Sequence, residues 1–266
     1  MNPESLKSLL KTRHTGRDLR VFDTLDSTNA AARDAARAGA PDGAVFAAAQ
    51  QSAGRGRFER AWASPRGGLW MSLLLRPGDD PAAAPLLPMA ASLALRQTLL
   101  QHLALDAQIA WPNDLVWNGK KLAGLLMETS FRGAVLEFAV LGIGLNVNNE
   151  SGAMPSEAQA VAVSCAEALG RPVALEPLAA ALLNNFEPLY DAIKMERSET
   201  VFQEWKTALN LIGNSIEVRQ GEALYRGVVE DVDAGGGLVM RLANGKKAAV
   251  PMDRGSIHTD KYSKKI

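Results

Sequence analysis

The stretch QSAGRGRFERAW, from Gln51 to Trp62, sets Arg55, Arg57 and Arg60 close together, with one glycine between the first two. A guanidinium is a planar fork of donors matched to carboxylate and phosphate oxygens, and interleaved glycines let backbone amides reach the same anion. It is not a Walker A loop, because no Gly-Lys-Ser/Thr follows, and it is not the GxGxxG of dinucleotide folds. Three uses stay open for it: a flap over an anion, a solvated turn, or an arginine-glycine contact with RNA. Aromatic residues are only 6% of the chain, which weighs against the last.

A second constellation is WPNDLVWNGKKLAG, Trp111 to Gly124. Asn113 and Asp114 put an amide beside a carboxylate, a pair suited to hydrated Mg²⁺ or to the phosphate and ribose edge of a nucleotide. Lys121 follows as a fixed cation for a reacting carboxylate or phosphate, and Gly124 permits close backbone approach. A plain β-hairpin turning on Asn118-Gly119, with two surface lysines, accounts for the same letters. The third is GIGLNVN, where Asn146 ends an apolar strand as either a turn former or a ligand.

These residues need elements to hold them. DSTNAAARDAARA reads as a helix over 26–38, with Asp26, Ser27, Thr28 and Asn29 offering oxygens to the open amides of its first turn or to a ligand. VFAAAQ and LWMSLLLRP read as strands on either side of the arginine loop, which therefore joins two strands of one sheet. Residues 86–105 carry helical spacing long enough to cover a sheet face. QIAWP, DLVW, LAGLLMETSF and VLEFAVLGIGLNV read as strands, and 148–155 as a polar connection. Helical patterns follow over 156–169, 175–194 and 199–208. From Ile212 onward SIEVR, ALYRGVVEDV, GLVMRLA and KKAAVPM alternate between QGE, AGGG and NGK turns, the pattern of a small antiparallel barrel with its boundary near Leu211.

Composition narrows the functions. Apolar residues make up 47% of the 266, enough for a packed core, and Lys+Arg balance Asp+Glu at 29 each, so no global field draws the chain to nucleic acid. The lone Cys165 excludes an internal disulfide framework and is expected to be buried packing. The amino-terminal residues show neither a signal peptide nor a membrane anchor, so a cytoplasmic protein with no membrane partner is expected.

Taken in order and at their spacing, DSTN, QSAGRGR with its tryptophan, WPNDL with KKLAG, and GIGLNVN resemble the signature blocks of the biotin protein ligase family, the biotin–[acetyl-CoA carboxylase] ligases. The resemblance spans about residues 22 to 150 in motifs and reaches the carboxyl end in layout. It implies an α+β fold: a mixed, largely antiparallel sheet with covering helices, like class II synthetases, over residues 1–210, and an SH3-like barrel over 211–266. It implies two steps. Biotin's carboxylate attacks the α-phosphorus of Mg-ATP to give biotinyl-5'-AMP and pyrophosphate; a lysine of the biotin carboxyl carrier protein of acetyl-CoA carboxylase then takes the acyl group.

The same resemblance places Ser27, Thr28, Asn29 and Gln51 in the biotin pocket and makes Gly54, Arg55, Gly56 and Arg57 a loop folding over biotin and its adenylate. Lys121 and Arg57 become the catalytic candidates, with Gly124 lying against the biotin rings. Arg57, Arg60, Trp62, Asn113, Asp114 and Asn146 fall to ATP, and Asp114 is the candidate Mg²⁺ ligand and an alternative base. The stretch before the first motif is too short for a three-helix DNA-reading module, so a monofunctional ligase without sequence-specific DNA binding is expected. A homodimer through a sheet edge is compatible with the fold. His258, in GSIHT, stands where relatives show arginine, which puts a barrel contribution to ATP binding in doubt. Two other readings share these residues: a lipoate or octanoate ligase, and a non-catalytic biotin sensor.

Overall fold

The computed structural model describes residues 1–150, 152, 161–195 and 197–257. Seven strands make the main sheet: β1 (Leu19–Leu25), β2 (Val45–Gln51), β3 (Leu69–Leu75), β4 (Gln108–Ala110), β5 (Asp114–Trp117), β6 (Lys120–Arg132) and β7 (Val135–Leu145). Their spatial order is β1-β2-β3-β7-β6-β5-β4, with β1 and β2 parallel and the remaining neighbours antiparallel. The helices are α1 (Pro3–Leu9), α2 (Thr28–Arg37), α3 (Leu86–Leu103), α4 (Cys165–Leu169), α5 (Leu175–Lys194) and α6 (Ser198–Leu209).

The middle of the sheet explains the layering. β3 reads LWMSLLL and is buried at every position, so both of its faces must be covered. Alternate residues Leu69, Met71, Leu73 and Leu75 join the main core with α3, α5 and α6. Leu74 faces the other way, into a smaller cluster with Ala32 and Ala36 of α2, Phe46 and Phe138. Each fully buried Leu contributes about 1.5–3 kcal/mol by leaving water. α2 starts where Ser27 caps it, its hydroxyl accepting from the Ala30 amide at 3.4 Å. Small alanines on its buried face let its first turn lie close to β3 and β7.

Five further strands form a second, antiparallel sheet: β8 (Ser215–Gln220), β9 (Ala223–Val232), β10 (Leu238–Leu242), β11 (Lys247–Val250) and β12 (Gly255–Ile257), ordered β11-β10-β9-β8-β12. Trp111, 2% exposed, ties the two sheets by donating its indole N–H to the Gly236 carbonyl at 2.8 Å. No helix among the described residues is long and apolar enough to cross a membrane. Cys165 is fully buried, and burial pushes its thiol up to about 12, as expected of a packing residue.

Three readings of the sequence need correction or completion. The helix expected over 156–169 begins only at Cys165; 156–160 lie outside the described residues, and 161–164 are not helical. There the backbone pairs with β6 instead, the Lys121 amide donating to Val161 and the Val163 amide to Lys121, before Ser164 and Glu167 close a capping box on α4. Strand β1 and helix α1 were not expected. β1 carries Arg20 and Asp23 and pairs on one side alone, so it shows no apolar run; α1 buries only Leu6. His258 lies outside the described residues.

The amino-terminal segment is fastened by Glu187 of α5, 5% exposed, whose carboxylate accepts from the backbone amides of Arg13 (2.5 Å), His14 (3.1 Å) and Thr15 (2.8 Å). Burial pushes this carboxyl up, but those three amides and the Thr15 hydroxyl outweigh it and bring it down to about 2 from an ordinary 4.5. A depressed folded-state value means stability present above the unfolded value and lost as pH falls through the folded one. Urea midpoints should therefore drop between pH 4.5 and about 2. Glu187→Gln should lower the midpoint at neutral pH and flatten that acid limb; an unchanged acid limb would contradict the assignment.

Candidate active site

The β5–β6 hairpin sets the site's geometry. Asn118 and Gly119 both take positive φ (47° and 75°), the turn this pair favours, and the ladder then places Asp114 opposite Gly124 and Val116 opposite Lys121. Lys121 Nζ consequently lies 2.7 Å from Asp114 Oδ2 and 4.9 Å from the Trp62 ring centre. Among the described residues, the other oxygen, Asp114 Oδ1, is buried without a hydrogen-bond partner, and so is Trp62 Nε1. Both residues line a cavity of about 390 Å³. Buried polar atoms normally find partners, so two unpartnered ones on residues that line the same cavity stand out.

The cavity needs its glycines. A Cβ on Gly144 would stand 2.7 Å from Trp62 Nε1, and one on Gly124 would stand 2.9 Å from the same ring. The indole thus lies flat on β6 and β7 only because neither strand has a side chain there. On the α2 side, a Cβ on Gly142 would meet Asn29 Oδ1 at 2.4 Å. Gln51 Oε1 accepts from the Thr28 amide (2.8 Å) and lies 3.1 Å from the Thr28 hydroxyl, while its Nε2 donates to Ser64 Oγ at 2.8 Å. Ser27, Thr28, Asn29 and Gln51 line this side together with Met71, Leu125 and Ile143, a polar rim on an apolar slot.

The arginine loop is not free. It folds on itself, with Gln51 N–H bonding to Ser64 O, Trp62 N–H to Gly54 O and Gly56 N–H to Arg60 O. Arg57 carries the loop across to the second sheet, donating to the carbonyls of Met252 (2.9 Å) and Gly255 (3.1 Å) and to Asn113 Oδ1 (3.4 Å). Burial pulls its guanidinium below the ordinary value, with Asp114 and Asp253 acting in the opposite direction. Arg55 and Arg60 are exposed, and among the described residues neither forms an ion pair. Phe58 and Glu59 both take left-handed φ (56° and 57°), which strains two consecutive side-chain-bearing residues at the loop tip.

Every predicted site residue except Gly54 lines this one cavity; Gly54 instead holds the loop, its carbonyl accepting from the Trp62 amide. Asn113 donates to the Leu125 carbonyl at 2.5 Å. Asn146, 2% exposed, donates to the Lys121 carbonyl at 3.5 Å and accepts from Asn149 at 3.2 Å. Trp62, expected on the nucleotide side, shares its seat with Gly124, expected against the biotin rings. Sequence reasoning did not single out Ser64, Ser72 and Glu128, which bond to Gln51, Thr28 or Asn29, or Arg33, which bonds to Glu128. The signal was there: Ser72 and Glu128 interrupt the apolar runs LWMSLLL and LAGLLMETSF, and a polar group in a buried strand implies a partner. Ser256 and Ile257 bring the second sheet to the cavity, independently of position 258.

Residues 21–146 match the Biotin/lipoate A/B protein ligase family. The chain is 31% identical over 245 residues to the bifunctional ligase/repressor BirA of Bacillus subtilis, covering 92% of this chain and 75% of that one. It is 33% identical over 225 residues to the biotin–[acetyl-CoA-carboxylase] ligase of Paracoccus denitrificans, covering 84% of this chain and 93% of the relative. Its fold superposes on the biotin protein ligase of Aquifex aeolicus in complex with biotin and ATP with a TM-score of 0.77, at 23% identity over 91% of this chain and 99% of that chain.

The Arg57 contacts generate a direct expectation. Hydrogen bonds from a charged donor are worth about 1.5–3 kcal/mol each, so Arg57→Ala should speed amide exchange across residues 54–62 by roughly 10- to 100-fold while leaving β3 and β7 protected. Hydrogen-exchange mass spectrometry reads this; unchanged exchange in the loop would mean the carbonyl contacts do not hold it.

Proposed function

This chain belongs to the biotin/lipoate A/B protein ligase family, and from that premise we propose that it joins biotin to ATP as biotinyl-5'-AMP and passes the acyl group to a lysine of the biotin carboxyl carrier protein of acetyl-CoA carboxylase. The observation that carries the reading is one chamber in which the Lys121 ammonium lies between the Asp114 carboxylate and the Trp62 ring. The carrier assignment is supported by the name of the Paracoccus relative.

Biotin's ring system fits the α2 side, with Ser27, Thr28 and Gln51 as polar contacts and Met71, Leu125 and Ile143 against its apolar faces. Its carboxylate then runs toward Lys121. Bringing that carboxylate to the α-phosphate sets anion against anion, about 4 kcal/mol at 4 Å in a medium of effective dielectric about 20. Lys121 offsets this repulsion at the reacting centre, and its attraction grows as negative charge accumulates on the oxygens of the five-coordinate phosphorus. Arg57 and the exposed Arg60 hold the β- and γ-phosphates, with Asn113 and Asn146 on the nucleoside and Trp62 as an apolar wall; Gly54, Arg55 and Gly56 close the loop over the adenylate. In the second step the carrier lysine's neutral amine attacks the acyl carbon and AMP leaves.

The donor set fits Mg²⁺, which binds through one or two carboxylates and takes its other ligands from phosphates and water. Asp114 Oδ1, buried and without a partner among the described residues, would be the protein's ligand. When bound, the ion neutralises phosphate charge and makes pyrophosphate a better leaving group. The His14, Glu187 and Asp191 trio does not line the cavity, and Glu187 is already taken by backbone amides. We further assign residues 1–210 to a catalytic unit and 211–266 to a barrel-like unit whose backbone carbonyls fasten Arg57.

Biotin-dependent exchange of pyrophosphate into ATP tests this reading. Wild-type protein should catalyse it, and Lys121→Ala should reduce it by about 10²–10³-fold, the loss typical of one preorganised charge-stabilising donor. Absence of exchange in the wild type, or exchange driven by lipoate in place of biotin, would overturn it.

A further inference from the structure

Behind the α2 side of the chamber runs a line of hydrogen bonds whose direction is fixed at its far end. Arg33 Nη1 donates to Glu128 Oε1 at 3.2 Å, and the second oxygen, Oε2, accepts from Asn29 Nδ2 at 2.8 Å. The same nitrogen lies 3.4 Å from the Leu126 carbonyl. A carboxylate and a carbonyl can only accept, so Asn29 must turn its NH₂ toward β6 and its Oδ1 toward Ser72. Ser72 Oγ lies 2.6 Å from that oxygen and 2.7 Å from Thr28 Oγ1, and Ser72 has one hydrogen to give. Asn29 Oδ1 takes it. Ser72 therefore accepts from Thr28.

Gln51 is fixed independently. The Thr28 amide, which can only donate, meets its Oε1; its Nε2 donates to Ser64 Oγ, whose own hydrogen goes to the Trp62 carbonyl at 3.2 Å. Two hydroxyl hydrogens serve three oxygen–oxygen contacts, and the two shorter ones, at 2.6 and 2.7 Å, take them, so Thr28 Oγ1 and Gln51 Oε1, 3.1 Å apart, act as neighbouring acceptors beside the cavity that both residues line. Two acceptors 3.1 Å apart can share one ring N–H, a donor that a cyclic urea offers at its edge. A ring without N–H leaves both unpaired in a buried slot, which costs binding.

We propose that Glu128, held by Arg33, and Ser72 are positioning residues for substrate specificity: through Asn29 they orient Thr28 so that the site accepts from a cyclic urea and rejects an acid whose ring lacks N–H groups. None of the three touches the reacting atoms. The proposal rests on the reading that biotin, whose ring is a cyclic urea, is the acid bound.

Glu128→Gln tests the direction itself. Arg33 can only donate, so it keeps the new amide's oxygen and leaves its NH₂ facing Asn29. Asn29 then flips, Ser72 turns its hydrogen to Thr28, and the Thr28 hydrogen goes to Gln51 Oε1, filling the gap in which the two oxygens would share the ligand's N–H. Calorimetry with biotin should show about tenfold or greater weakening, while the KM for ATP stays put and the preference for biotin over its analogue methylated on both ring nitrogens shrinks. Ser72→Ala cuts the line, so adding Glu128→Gln to it should have little further effect. Folded Glu128→Gln protein that binds biotin like wild type, or that weakens it equally in the Ser72→Ala background, overturns the proposal. Wild type that binds no biotin would sink the assignment of biotin as the substrate instead; the relay is then judged on ligand-free protein, and it falls if Glu128→Gln leaves the Asn29 side-chain amide NMR signals unmoved.

Discussion

The contact on which the rest of the site depends is the 2.7 Å pairing of Lys121 with Asp114 across one hairpin. Both side chains are mostly withdrawn from water, at 29% and 19% exposure. An ammonium alone in that setting would lose much of its hydration with little in return, and so would the carboxylate. Each therefore stabilises the other in a position that neither would keep alone, and the indole face of Trp62 adds a second attraction to the cation. The pair is also incomplete, because Asp114 Oδ1 has no partner among the described residues. On the function proposed above, an entering anion and its counter-ion would exchange partners with this couple.

That readiness needs rigid surroundings, which come from backbone as much as from side chains. The Asn118-Gly119 turn fixes the register of β5 on β6. The glycines of β6 and β7 seat Trp62. On the far side, the second sheet acts through the carbonyls of Met252 and Gly255, and a carbonyl is present whichever residue carries it. Trp111 completes the link by bonding Gly236 two positions before Asn113 enters the chamber wall.

Legibility in the sequence followed locality. The helix capped by Ser27, the strands about the arginine loop, the Asn118-Gly119 turn and the alternating carboxyl-terminal strands were all readable, because caps, turns and periodicity are decided within a few residues. The misplaced helix before Cys165 shows the limit. Its alanine-rich letters favour a helix, but the backbone at 161–163 finds its hydrogen bonds on Lys121, some forty positions earlier, and nothing local encodes that. β1 was missed because a strand paired on one side has no need of an apolar run.

By itself, then, the sequence determined which residues could do chemistry: the arginine loop, Asn113 and Asp114, Lys121, Asn146 and the polar start of α2. Side-chain type and short-range spacing are enough for that. Tertiary structure alone decided what each of them faces. It set Arg57 on carbonyls nearly two hundred positions away, Lys121 between Asp114 and Trp62, and Asn29 under Ser72 and Glu128. Hydrogen bonds and ion pairs act over a few ångströms of space, and the order of strands in the sheet decides which distant positions come that close.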